Sequence, residues 1–288
     1  MNAFDIIKIV AIICAVAVVI YFWRHFSSEK LTKVEQVKIA FIGFISNLLD
    51  TVGIGSFAVI VAMRRMLKVM PDDAKLIGSM NIQAVITALA QMLIFLHFIE
   101  LDLTTMLVSI VMITIGGFLS GLIAVRVNRK IMHNAMLGAF IITGILLFLI
   151  QFNILEFAST SHAIIGARLI AFAIFMLIAG MLPAFGVGYY SLVKTSIFLF
   201  GVNPIIAFPI MAAASAYQMP VTAVTFINKK KFYAQSSILL TIFGLAGVFI
   251  AAPLISKVDP YTLKWILLAV VIYNIITIAM TKVSPTTD

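Results

Sequence analysis

Two short glycine motifs stand inside the most apolar stretches of this chain, and each is flanked by polar side chains. The first reads Asn47-Leu48-Leu49-Asp50-Thr51-Val52-Gly53-Ile54-Gly55-Ser56. The second reads Gly180-Met181-Leu182-Pro183-Ala184-Phe185-Gly186-Val187-Gly188-Tyr189-Tyr190. A helix starting at Gly55 or Gly188 aims its unsatisfied N–H groups, with their partial positive charge, at whatever lies ahead, which suits an anion. Glycine lets the backbone approach a ligand with no Cβ in the way. The chemistry this pattern suits is capture of a small oxyanion such as a sulfonate, sulfite or carboxylate. The competing reading is that the glycines only permit a tight turn and close helix packing.

Around the tips the candidate binding residues are Asn47, Asp50, Thr51, Gly53, Gly55 and Ser56 from the first motif, and Gly186, Gly188, Tyr189 and Tyr190 from the second, with Ser191 beside them. The apolar run after each motif adds Asn81, Gln83 and Gln91 in one case, and Ser215, Tyr217 and Gln218 in the other. Asp50 is the sharpest of these, because ionisable groups inside apolar runs are costly and are usually kept for a purpose. A protonated Asp50 travelling with an anion would couple transport to protons; alternatively, Asp50 caps the half-helix that follows it. Lys194 lies deep in its run and is a candidate to draw anions inward, whereas Arg168, close to a run end, suits snorkelling to the interface. His25, His97, His133 and His162 show no metal-ligand spacing, and no cofactor is expected.

These residues need elements to hold them. The 288 residues are 63% hydrophobic and 11% charged, against about 25% charged in a soluble domain, which excludes a soluble globule. The net charge of +9 reads as basic cytoplasmic loops and not as a nucleic-acid footprint. Apolar runs cover 6–23, 37–63, 76–98, 103–125, 135–152, 163–200, 205–227, 234–256 and 262–281. The first has no cleavage signal and is expected to anchor the chain. The runs 37–63 and 163–200 are too long for single spans of roughly 17–25 residues, and both glycine motifs fall within them. Leaving aside Lys8, Arg168 and Lys194, which lie inside apolar runs, the basic residues divide eight against nine between the two sides if both long runs cross the membrane, and fifteen against two if both turn back. The positive-inside rule selects two re-entrant hairpins, with the N-terminus outside and the C-terminus inside.

The chain also resembles itself. At an offset of 133, Gly53 falls on Gly186, Gly55 on Gly188, Pro71 on Pro204 and Ala74 on Ala207; at 130, Gly117 falls on Gly247. The expected fold is all-α and polytopic, with two inverted repeats of one hairpin plus three spans. Residues 1–30 form an extra N-terminal helix and basic loop. Repeat one covers 31–153 with its hairpin at 36–66, and repeat two covers 154–288 with its hairpin at 163–200.

The stretch Gly43 to Phe57, and Gly180 to Gly188 as its counterpart, resembles the motifs of the TauE/SafE sulfite-exporter family, the toluene-sulfonate uptake permease group, in an Asn-x-x-Asp-Thr-x-Gly-x-Gly form. The resemblance implies a bacterial or archaeal inner-membrane transporter of sulfite, thiosulfate, sulfoacetate or sulfonates, with Gly53, Gly55, Gly186 and Gly188 lining the site. Ser56-Phe57 and Tyr189-Tyr190 stand where that family's commoner motif continues in glycine. The expected function is alternating-access transport of such an anion, held between the hairpin tips near the midplane. An anion channel or an accessory subunit of a membrane complex is the alternative. No nucleophile–base pair or HExxH sequence suggests an enzyme, and no phosphate-binding loop suggests ATP drive.

Overall fold

The computed structural model describes residues 2–53, 55–98, 102–123, 163–185, 188–190, 200–202, 204–255 and 260–280, with isolated positions between 134 and 197. The expected span 135–152 and the residues Ile54, Gly186, Ser191 and Lys194 lie outside the continuously described segments. The described residues form helices and no β-strand. Six of the helical segments are long and apolar enough to cross a membrane, as an integral membrane protein requires.

The chain opens with α1 (Ala3–Arg24), started by a reciprocal cap between Asn2 and Asp5. A second such cap, Thr32 with Glu35, starts α2 (Lys33–Val52). Gly53 ends α2 at φ 124°, Gly55 precedes α3 (Ser56–Leu67) at φ 89°, and both values belong to the region that only glycine enters cheaply. The reversal between them is complete: Lys38 near the start of α2 donates to the carbonyl of Leu67 at the end of α3, at 3.0 Å. The first long run is therefore a hairpin whose two ends lie together.

From that end α4 (Asp73–Phe98) crosses to the other side, and α5 (Leu103–Ile123) returns. The second hairpin begins at that opposite end, where the N–H of Ile164 donates to Thr105 Oγ1 at 3.0 Å. Its first arm is α6 (Ala167–Met181), tightened into a 3₁₀ turn at Leu182–Phe185. It too turns back, since the ring of Phe200 lies 5.5 Å from that of Phe172. Next come α7 (Ala207–Asn228), α8 (Ala234–Ile255) and α9 (Pro260–Met280).

α4 and α7 pack on each other at the centre, and each is largely buried. Around them α2 packs on α8 and α5 packs on α6, while α4 touches α8 and α7 touches α5. Lipid offers no hydrophobic drive between helices, so close backbone approach carries the packing. A Cβ on Gly116 would stand 2.1 Å from the carbonyl oxygen of Leu177, one on Gly180 2.2 Å from that of Ile113, and one on Gly247 2.5 Å from that of Phe44. Outward faces carry Ile9, Ile13, Val16, Val111, Phe118, Ile174 and Phe249, all exposed, as a lipid-facing surface requires.

The end where the first hairpin meets the α7–α8 turn is basic. Arg64 is buried, donates to the carbonyls of Met70 at 2.9 Å and Pro71 at 3.1 Å, and pairs with Asp73. The backbone N–H of Asp72 donates to the Tyr233 hydroxyl at 2.9 Å, and the Lys75 ammonium lies 5.6 Å over the Tyr233 ring.

Candidate functional site

The two tips meet. Gly55, Ser56 and Phe57 from the first face Gly188, Tyr189 and Tyr190 from the second across a small cavity. A Cβ built on Gly188 would touch the Phe57 side chain at 3.4 Å, whereas one built on Gly55 would meet nothing within 4 Å. The remaining wall is Asp50 from α2, Ala84, Thr87 and Ala88 from α4, and Met219 from α7. The cavity measures about 20 Å³, room for roughly one water-sized group. A ligand of several atoms does not fit the cavity with the tips in this arrangement.

Asp50 sits at the centre of a directed network. Its Oδ1 accepts the N–H of Ser56, the first residue of α3, at 2.6 Å, so it closes a helix start whose own cap position, Gly55, has no side chain. Its Oδ2 accepts from Gln91 Nε2 at 2.9 Å. The orientation of that amide follows from its other contact. Thr51 Oγ1 donates to the carbonyl of Asn47 at 2.8 Å, so it accepts from Gln91 Nε2 at 3.2 Å. Each carboxylate oxygen thus accepts from an N–H donor. The capping role expected as one reading of Asp50 is present in the structure.

The second tip is held differently. The Tyr189 hydroxyl lies 2.5 Å from Ser215 Oγ and donates to Gln218 Oε1 at 3.5 Å. Gln218 Nε2 donates to the carbonyl of Gly180 at 3.2 Å, and Asn81 Nδ2 reaches across from α4 to the carbonyl of Pro183, also at 3.2 Å. At the 133-residue offset Pro183 stands where Asp50 stands in the first half, so the tips are chemically unequal.

Of the residues singled out from sequence, the structure brings Asp50, Gly55, Ser56, Gly188, Tyr189 and Tyr190 to the cavity. Asn47, Thr51, Asn81, Gln83, Ser215 and Gln218 do not line it; they are buried behind it and bond to its walls or to one another, as Asn47 Nδ2 does to Gln83 Oε1 at 3.1 Å. Gly53 serves the turn. Tyr217 points elsewhere, its hydroxyl donating to the carbonyl of Ile7 in α1 at 2.7 Å. Gly186 and Lys194 lie outside the described residues.

Thr87, Ala84, Ala88, Phe57 and Met219 were not foreseen as wall residues. For Thr87 a signal exists: Gln83, Thr87 and Gln91 recur every four residues, one polar stripe on one helix face. The alanines and Met219 are indistinguishable by type from core residues. Among the described residues no cluster of His, Cys, Asp or Glu has the makings of a metal site. Compared with protein families, curated proteins and solved structures, the chain matches none, so the sulfite-exporter resemblance rests on the tip motifs and the repeat pattern.

Proposed function

We propose that this chain is a secondary transporter of small sulfur-containing anions, bound between the two hairpin tips and released to either side by alternating access. The observation that carries the reading is the meeting of two tips, from opposite halves of the sequence and opposite ends of the molecule, around one buried cavity. A transporter needs such a central site, closed from both ends in at least one state.

The inverted repeat is supported by the pairing of elements. The first hairpin packs on α8 and the second on α5, so each half covers the hairpin of the other, while α4 and α7 meet at the centre. Both central helices also carry a Gln-x-x-x-Thr-Ala step, Gln83 to Ala88 in α4 and Gln218 to Ala223 in α7, at an offset of 135 that lies two residues from that of the tips. In both helices the threonine hydroxyl donates back to the glutamine carbonyl, at 3.3 Å and 3.4 Å. Sidedness follows from charge: the basic end is cytoplasmic, placing the N-terminus outside in a bacterial or archaeal inner membrane.

Because Asp50 already covers the start of α3, the anionic group is placed against the backbone at Gly188, Tyr189 and Tyr190. Phe57, Ala84, Ala88, Met219 and the tyrosine rings make the remaining wall largely apolar, and no Lys or Arg lines it among the described residues. That composition suits a singly charged organic sulfonate better than an inorganic dianion. Proton coupling through Asp50 requires it to take up and release a proton during the cycle, and the protonated carboxyl keeps acceptor capacity for its N–H partners.

The test is ligand-dependent melting of the purified protein against sulfite, thiosulfate, sulfoacetate, taurine, sulfate and carboxylate controls, followed by uptake of the best binder into proteoliposomes. A sulfonate should raise the melting temperature by mass action. Gly188→Ala, whose Cβ finds ordinary contact distance, should fold yet lose the shift. No shift with any anion at any pH overturns the anion reading. Flux that does not saturate would assign a channel, and binding without flux an accessory subunit.

A further inference from the structure

α1 is an addition to the two halves and is attached along one narrow stripe of Ile7, Ala11, Ala15, Val18 and Phe22. Near its C-terminus the attachment changes character. The Phe22 ring lies 5.6 Å from that of Phe232, and the Tyr21 hydroxyl donates to Asn228 Oδ1. Beside this contact α7 ends in a left-handed cap. Lys230 at φ 52° donates its N–H to the carbonyl of Ile227, and Lys231 donates to that of Phe226, both at 3.0 Å. Glycine usually fills the left-handed position of this motif.

Lys229, Lys230 and Lys231 are all exposed, and so is Arg24, one helical turn beyond Tyr21 on the neighbouring helix. A positive charge favours a helix C-terminus, but one lysine suffices for that, and the left-handed position disfavours it. Of the acidic groups at this end Asp73 pairs with Arg64, Glu29 accepts from the N–H and hydroxyl of Ser236, and Asp72 accepts from the N–H groups of Ala74 and Lys75; among the described residues none forms an ion pair with Lys229, Lys230 or Lys231. Trp23, 57% exposed, sits at the level where indole rings mark a membrane interface. Along the flank of α1 that carries Arg24, Ile6, Val10 and Ile13 present exposed apolar side chains.

We propose that the basic surface where the end of α1 meets the α7–α8 turn binds the phosphate headgroup of an anionic phospholipid, and that the bound lipid clamps α1 to the body. The four cations meet the phosphate, and the α1 face below takes the acyl chains. Each basic residue near an anionic bilayer surface adds about fivefold to the preference for it.

The full chain in nanodiscs tests this, with phosphatidylcholine alone or mixed with phosphatidylglycerol. Cys14, the single cysteine and a residue of α1, takes a nitroxide whose mobility reports docking of that helix. The acidic lipid should raise the melting temperature and immobilise the label. The triple variant K229Q/K230N/K231Q should lose most of both effects, asparagine being chosen at 230 because it tolerates the left-handed backbone. Should the triple variant not fold, Arg24→Gln should lose part of both effects, and added salt should shrink them in the unmodified chain. Soluble glycerophosphate should produce neither, which separates a lipid from a free anion. Equal melting and equal mobility in the two bilayers would overturn the proposal, as would variants that keep the full difference.

Discussion

At the scale of single residues, the cavity is shaped by where donors point. Asp50 accepts a backbone N–H and a Gln91 amide hydrogen, and the Gln91 orientation is fixed in turn by Thr51. Asp50→Asn leaves one oxygen for Ser56 but turns an NH₂ toward the NH₂ of Gln91. Opposed buried donors cost about 1–3 kcal/mol, so the variant should melt several degrees lower. If the chain transports as proposed, the pH profile of that flux carries the second half of the prediction. A profile that becomes flat makes Asp50 the proton carrier, and one that keeps its shape at reduced rate leaves Asp50 as the cap of α3.

At the scale of elements, glycine and caps decide what forms and what touches. The α5–α6 crossing depends on Gly116 and Gly180, where an added Cβ would press on a carbonyl oxygen of the facing helix. Gly180→Ala must push the helices apart and should destabilise the protein by about 1–3 kcal/mol, read from thermal melting in detergent. Gly138→Ala, where a Cβ meets nothing within 4 Å, is the control and should be near neutral. The cap of α2 gives a pH signature. Hydrogen bonds from the Thr32 backbone and hydroxyl, aided by Lys38, hold the Glu35 carboxyl below its ordinary value of 4.5. A depressed carboxylate adds stability above its unfolded value, and that stability fades as pH falls through the lower folded value. Titration of Glu35 by NMR should give a midpoint below 4.5, and Thr32→Val should move it partway back, because the backbone donor survives.

At the scale of the whole molecule, sidedness is the strongest consequence of the hairpins. The Lys38–Leu67 bond closes the base of the first hairpin, the Asp72–Tyr233 bond sets that base beside the α7–α8 turn, and Ile164 binding Thr105 places the base of the second hairpin at the far end. In a Cys14→Ser background, single cysteines at positions 68 and 230 should react with a membrane-impermeant reagent from one side of oriented vesicles. A cysteine at position 102 should react from the other side. Had both glycine motifs been mid-span kinks, positions 68 and 230 would label from opposite sides.

Much of this was legible in the sequence because its signals are physical and local. Apolar runs of membrane length, and runs too long for one span, indicated the helical membrane class and the chain reversals, since a bilayer admits few backbone solutions. Charge asymmetry alone separated hairpins from kinked helices, and the Lys38–Leu67 contact agrees. The tip glycines were readable because their backbone angles exclude other residues, as φ 89° at Gly55 does. What the chain could not declare was which polar side chains face the cavity and which brace its walls. Asn47, Gln83 and Gln218 carry the same chemistry as a ligand-binding amide, and only the packing of α4, α7 and the hairpins sends their hydrogen bonds into the protein. Ala84, Ala88 and Met219 gained their place for the same reason, since a wall is made by what lies opposite. Local sequence set the elements and their reversals, and the tertiary structure alone decided which of their faces meet.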